Sequence, residues 1–371
     1  MRVALVHDHL TQNGGAERVL EAMQAIWPSA PTFTLLYDKK KMAGSFGHKD
    51  IRPSFLQEMP LALSKPRWYL PLMPTATEGY DLSDFDVIVS SSSAFSKGVI
   101  APSNAIHVCY CHTPTRYLWS DTHSYLKELK VPKLIKKILP PVLSRLRQWD
   151  KLAADRVTNF VANSETVSGR IKQYYHRESD VIHPPVDIDQ FTISQRPKDY
   201  FLIGGRLVSY KRYDLVVDAF NKLGLPLKIF GTGPKEAELK AKAMDNIEFL
   251  GRVSDEERAR LFAGAKAFLH PQEEDFGITP VESMAAGRPV IAYGRGGATE
   301  TVIDGVTGIL FDVQNWQEIA DTVLHFDEKK FDPEVIRKHA EQFSLKVFTE
   351  ELSSYVNQKW EDHRRKTLGL L

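Results

Sequence analysis

Short apolar runs, each closing on a glycine turn or a polar loop, recur along this chain. Val3-Ala4-Leu5-Val6 is the first. After a polar loop, Gly14-Gly15 opens a pattern in which Ala16, Val19, Leu20 and Met23 share one helical face, so the opening reads as strand, glycine turn and helix. Further β-rich runs at Thr32–Leu36, Val87–Val89, Ile106–Cys109 and Phe160–Ala162 are separated by longer stretches. That spacing predicts a parallel sheet with helical crossovers.

The pattern then restarts. Tyr200–Ile203 reads as a strand, Gly204-Gly205 as a turn, and Leu215, Val216, Ala219 and Phe220 as a helix face. Later strands are expected at Leu227–Phe230, Ile247–Leu250, Ala267–Leu269, Pro289–Ala292 and Gly308–Phe311, and the polar stretch Thr192–Lys198 with its Pro197 reads as a linker. After Phe343-Ser344 an amphipathic segment carries Val347, Leu352, Tyr355 and Trp360, and is expected to pack back on the first domain. The expected organisation is a domain over residues 1–190, a second over 191–343, and a terminal helix over 344–371. The fold class is α/β, two Rossmann-like doubly wound domains facing across a cleft, with ligands at the carboxyl ends of the strands.

A length of 371 residues suits two domains, and 43% hydrophobic with 26% charged residues excludes disordered and fibrous classes. The net charge of +1 excludes a global field for nucleic acid. Residues 1–190 hold 23 basic against 19 acidic side chains, and the remainder 25 against 28. Much of the basic excess lies in Lys127–Lys151, where eight basic and two acidic residues accompany an apolar stripe of Val131, Leu134, Ile135, Ile138, Leu139, Val142, Leu143 and Leu146. Pro140-Pro141 is expected to break or bend that helix. The segment reads equally as a surface for an anionic membrane or as core-facing helices with solvated lysines. Cys109 and Cys111 alternate on one strand, a spacing that strains a direct disulfide. With no leader pattern and no apolar run of 18 residues, the reading is a cytoplasmic protein, peripheral on the inner face of the membrane if the basic segment binds there.

The most specific feature is Glu274-Asp275-Phe276-Gly277-Ile278-Thr279-Pro280-Val281-Glu282, two glutamates flanking seven residues at a loop-to-helix junction. Thr279 can cap that helix, Pro280 suits its first position and Glu282 then completes a capping box. Arg206 and Lys211 follow the strand that restarts the pattern, where two cations suit a diphosphate. Gly14-Gly15-Ala16-Glu17-Arg18 opens the first helix, with Glu17 and Arg18 readable as charges serving the helix dipole. Cys111-His112-Thr113-Pro114-Thr115-Arg116-Tyr117-Leu118-Trp119 follows a strand end, as does Asn163-Ser164.

Here a resemblance becomes plain. The two-glutamate run resembles the E-x7-E signature of retaining glycosyltransferases with the GT-B fold, family four, and Gly204-Gly205-Arg206-Leu207-Val208-Ser209-Tyr210-Lys211 resembles that family's G-R-L-x-x-x-K segment. Asn246–Gly251 is similar to its strand preceding the base site. The Cys-His-Thr-Pro-Thr-Arg-Tyr-Leu-Trp segment and the Gly-Gly-Ala-Glu-Arg opening look most like bacterial mannosyltransferases of polysaccharide assembly.

The resemblance implies a metal-independent, retaining transfer of a hexose, mannose from GDP-mannose first among donors, to a hydroxyl of a glycan or lipid-linked acceptor. It places His112, Glu274, Arg206 and Lys211 at the reacting centre, and Gly15, Val253, Phe276, Gly277, Ile278 and Glu282 around the donor. Arg116, Trp119 and Asn163 fall to the acceptor. It implies no metal and no cofactor, the nucleotide diphosphate sugar being a substrate. The alternatives are a UDP-sugar-dependent glucosyl- or galactosyltransferase and a sugar-nucleotide epimerase.

Overall fold

The computed structural model describes residues 1–120, 122, 133–194 and 197–367. It divides into two compact units, Met1–His183 with the chain from Phe348 onward, and Pro184–Val347. The stretch Thr192–Lys198 lies within the second unit, its residues 195 and 196 falling outside those described.

In the first unit the strands are β1 (Val3–His7), β2 (Thr32–Thr34), β3 (Ile51–Pro53), β4 (Val87–Ser92), β5 (Ile106–Cys111), β6 (Asn159–Ala162) and β7 (Ser179–Val181). They form one sheet in the order β3-β2-β1-β4-β5-β6-β7, every pair parallel. Alternation along β1 sorts the side chains: Val3 and Leu5 join a core with Val19, Leu20 and Met23 of the Gly15–Ile26 helix, while Ala4 and Val6 join Phe33 and Ile88 on the other face. A strand covered on both faces reads as an unbroken apolar run, which is why β1 is legible. Phe348, Leu352 and Val356 of the Leu345–Thr367 helix complete the first of these cores.

One strand runs further than its apolar stretch. β4 continues through Ser90-Ser91-Ser92 because these hydroxyls find partners; Ser90 Oγ lies 2.8 Å from His107 Nε2 on β5. Cys109 and Cys111 are free and buried, and burial pushes the Cys109 thiol up to about 12. The Lys133–Arg156 helix runs through Pro140 and Pro141 as one element, so of the expected break or bend the break does not occur. Both prolines are exposed, so water can meet the carbonyls that lose an amide partner.

In the second unit β8 (Phe201–Gly204), β9 (Leu227–Phe230), β10 (Ile247–Gly251), β11 (Phe268–His270), β12 (Val290–Tyr293) and β13 (Gly308–Phe311) form a parallel sheet in the order β10-β9-β8-β11-β12-β13. Leu215, Val216, Ala219 and Phe220 of the Tyr213–Leu223 helix are buried against Phe201 and Ile203. Each sheet reverses its strand order once, at β1/β4 in the first unit and at β8/β11 in the second. In doubly wound sheets the chain diverges at such a point and leaves a crevice beyond the carboxyl ends of the strands.

Candidate functional site

At the second unit's reversal, β8 ends at Gly204 and the chain turns through Gly205 and Arg206 into a short helical turn, Ser209–Lys211. Lys211 Nζ lies 2.9 Å from Glu274 Oε1, with only 12% and 16% of the two side chains exposed. Burial alone would pull the Lys211 ammonium down, but Glu274 and Tyr210 together more than offset this and raise it, while the exposed Arg206 opposes by like charge. The loop after β11 is held on its far side as well: the Glu274 carbonyl accepts from the Gly297 amide at 2.8 Å. Phe276 anchors the loop in the core, edge-on to Phe343 at 5.5 Å.

Gly277 begins the Ile278–Ala285 helix as its N-cap with φ +91°, a conformation only glycine adopts without strain. This corrects the expected cap. Thr279 is the second helical residue, Pro280 the third, and no side chain caps the end. Glu282 consequently serves no capping box: it is buried, with Oε1 3.5 Å from Arg258 Nη2. Arg258 is a site neighbour that the sequence pattern did not disclose, because it stands on a separate helix, Asp255–Gly264. Val253, in the turn before that helix, is half-buried against the core that contains Val281 and Met284.

His270 was also unforeseen. It ends β11, is fully buried, and its Nδ1 lies 3.0 Å from Gln272 Nε2 while its Nε2 has no partner among the described residues. Burial lowers the imidazole to about 4, with Glu274 acting upward and Lys211 downward. The ring stands beneath Gly277, where a Cβ would lie 3.4 Å from His270 Nε2. A charged or polar residue closing an otherwise apolar strand was the available signal.

The first unit's reversal carries its own polar cluster. His7 closes β1, and its register partner on β4 is Ser91. Ser91 Oγ lies 3.0 Å from His7 Nδ1 and 2.8 Å from His112 Nε2. Burial lowers His112 to about 3, with His7 acting in the same direction and Asp8 against it, so the ring is neutral at physiological pH. Asp8 accepts four backbone N–H groups, from Ser93, Ala94, Phe95 and Ser96, at 2.7–2.8 Å. Burial would raise its carboxyl, but His9, His7 and these amides together hold it below the usual value. The end of β1 is thereby tied to the loop after β4.

The remaining expected residues separate. Gly15 is exposed at the start of its helix. Trp119 donates its indole N–H to Asp150 at 2.8 Å and stacks on Tyr174. Asp150 is itself buried against Lys97 at 2.5 Å and accepts from Thr115 and Tyr175 at 2.8 and 2.7 Å. Arg116 is half-buried in the turn that this network holds. Asn163 is buried beside Ser164, which caps the Glu165–Tyr175 helix. Among the described residues no group of His, Cys, Asp and Glu is placed to hold a metal ion, and no helix is long and apolar enough to cross a membrane.

Two doubly wound parallel sheets, with an ammonium–carboxylate pair on the glycine-rich loops of the second, define a GT-B glycosyltransferase. Residues 37–190 match the family described as Glycosyltransferase Family 4, and residues 187–343 that described as Glycosyl transferases group 1. The chain belongs to the family-four type of glycosyltransferases. It is 27% identical over 334 residues to an alpha-1,3/1,6-mannosyltransferase of Dictyostelium discoideum, spanning 75% of this chain and 76% of the relative. A D-rhamnosyltransferase of Pseudomonas aeruginosa is 29% identical over 205 residues, 50% of this chain and 52% of that protein. Among solved structures, an Anabaena protein crystallised with UDP superposes with a TM-score of 0.72 at 18% identity, covering 96% of this chain and all of the other.

Proposed function

We propose that this glycosyltransferase moves mannose from GDP-mannose to a hydroxyl of a glycan or lipid-linked acceptor, with retention of anomeric configuration and without a metal. The Lys211–Glu274 pair carries the reading. On this assignment Lys211 and Arg206 meet the diphosphate, Glu274 and the amides of Phe276, Gly277 and Ile278 meet the hexose, Glu282 takes the ribose hydroxyls and Val253 lies beside the base. Gly15 and His112 are assigned to the donor as well. Arg116, Trp119 and Asn163 serve the acceptor side.

The bond from the anomeric carbon to the diphosphate breaks as the acceptor oxygen forms its bond on the same face, and the acceptor proton passes to the departing phosphate oxygen. Two cations suit that step because negative charge grows on the leaving group, and each charged hydrogen bond contributes about 1.5–3 kcal/mol. Mannosyl transfer is supported by the Dictyostelium relative's name and by the segments quoted above. Incubation with GDP-mannose, UDP-glucose and UDP-galactose, followed by mass spectrometry of released nucleotide, tests the donor. Release of UDP in preference to GDP overturns the GDP-mannose assignment. Activity abolished by a chelator and restored by a divalent ion overturns metal independence, and an inverted anomeric product by NMR overturns retention.

The basic segment 127–151 gives the protein a route to an anionic membrane surface on the cytoplasmic side. Residues 127–132 lie outside those described. Flotation with anionic vesicles at low salt tests it, and absence of binding removes the membrane from the assignment.

A further inference from the structure

The polar cluster at the β1/β4 reversal is a chain with a direction. His7 and Ser91 are register partners, and the same sheet face carries Val3, Leu5, Val87, Val89 and Tyr110 in the core. Period-two alternation therefore aligns His7, Ser91 and, one step beyond the end of β5, His112 in one row. The row begins at Glu17, whose Oε1 lies 3.9 Å from His7 Nε2, both side chains being almost completely buried. Glu17 is thus not the solvated helix-dipole charge that its first-turn position implied; it turns inward from the Gly15–Ile26 helix. The glycine before it makes room: a Cβ at Gly14 would lie 3.1 Å from Glu17 Oε2.

A serine hydroxyl has one proton to donate, so Ser91 cannot donate to both imidazoles. The direction is decided at the other end. A carboxylate has no proton to donate, and across 3.9 Å the Glu17 charge attracts the imidazole N–H, so electrostatics favours the His7 proton on Nε2, facing Glu17, and leaves Nδ1 a lone pair toward Ser91. Ser91 then donates to His7 Nδ1 and accepts from His112 Nε2–H. Asp8, the other carboxylate beside these rings, is already saturated by four backbone amides and does not compete.

We infer that Glu17 is a positioning residue which, through His7 and Ser91, sets His112 as the Nε2–H tautomer and so presents Nδ1 to a ligand as a hydrogen-bond acceptor. The ligand group this selects is a hydroxyl donor. The inference rests on the reading that His112 faces the donor hexose, where a sugar hydroxyl supplies that proton, whereas a phosphate oxygen, which only accepts, does not.

The test is long-range ¹H–¹⁵N correlation of the imidazoles in the full-length protein labelled with [¹⁵N]histidine at pH 7.5. His112 is expected with Nε2 protonated and Nδ1 bare. Glu17→Gln, which keeps the shape and removes the carboxylate, is expected to mix the two tautomers, and Ser91→Ala to remove the dependence on residue 17. A bare Nε2 in the wild type overturns the inference, as does an unchanged tautomer in Glu17→Gln. If Glu17→Gln fails to fold, Ser91→Ala carries the test, with loss of the tautomer preference expected and an unchanged preference overturning it. In kinetics, Glu17→Gln is expected to lower kcat about tenfold, the scale of one neutral hydrogen bond, with the Kd of free nucleoside diphosphate within twofold. An equal loss in nucleotide affinity, or no loss in kcat, speaks for a structural role and overturns it. The tautomer is read without turnover. The expected tautomer with no transfer from any nucleotide sugar removes the donor reading alone, and transfer with the opposite tautomer removes the relay alone.

Discussion

Lys211 Nζ and Glu274 Oε1 are 2.9 Å apart, joining the loop after β8 to the loop after β11 across the point where the second sheet reverses. Both charges are largely withdrawn from water, and each is held by the other. On the proposed assignment, a diphosphate beside Lys211 would share or take this ammonium and so bear on the position of the Glu274 loop.

Removing either partner breaks a largely buried ion pair. Lys211→Ala and Glu274→Ala are each expected to reduce kcat/KM for transfer by about 10–150-fold, the equivalent of one charge-assisted hydrogen bond. Circular dichroism should show the fold intact. Near-normal turnover in either variant takes that residue out of the site.

The Gly277 backbone supplies the next test. Gly277→Ala places a side chain at φ +91° with its Cβ 3.4 Å from His270 Nε2 and Pro280 Cγ. A left-handed conformation costs a non-glycine residue about 1–2 kcal/mol. Urea denaturation should read that loss, and donor affinity measured by calorimetry should fall with it. A variant as stable as wild type shows that the helix start relaxes.

Acid stability follows from His270. Its folded value, about 4, lies below the ordinary 6.5, so between those pH values the unfolded chain binds more protons. This contribution is therefore full above about pH 6.5 and is lost as the pH falls toward 4, up to about 3 kcal/mol. His270→Phe removes the titrating ring while keeping its bulk. The stability difference between variant and wild type should shift in the variant's favour as pH drops, and a difference that is flat from pH 7 to 4.5 contradicts the assignment.

Asp150 and Lys97 form a buried ion pair in the first unit, and Trp119, Thr115 and Tyr175 also donate to the carboxylate. Breaking such a pair from one side costs about 3–5 kcal/mol, whereas replacing both partners costs much less. Lys97→Met and Asp150→Leu are each expected to destabilise strongly in urea. The double variant should lose less than the two singles together. Additive losses would show that the residues act independently.

Much of the fold was legible. Leu227–Phe230 and Gly308–Phe311 are legible to the residue, because each is a short, largely apolar run bounded by turn residues. β3 and β7 were missed: at sheet edges, three residues long and partly solvent-facing, they carry no apolar signal. Within the site, Arg206, Lys211, Glu274 and Gly277 announced themselves by spacing within local motifs. Arg258, His7, Ser91 and Asp150 did not, since each acquires a partner from a separate element.

The amino-acid order by itself determined the alternation of strands and helices, the restart near Tyr200 and the glycine-bounded loops that gather charge, since these depend on local periodicity and backbone freedom. Only the tertiary structure decided that Glu282 faces Arg258 rather than capping its own helix, that Glu17 turns inward to His7, and that Trp119 closes on Asp150. In each case a polar group leaving water must find a partner, and the partner stands on an element far away in sequence, where no local pattern records it.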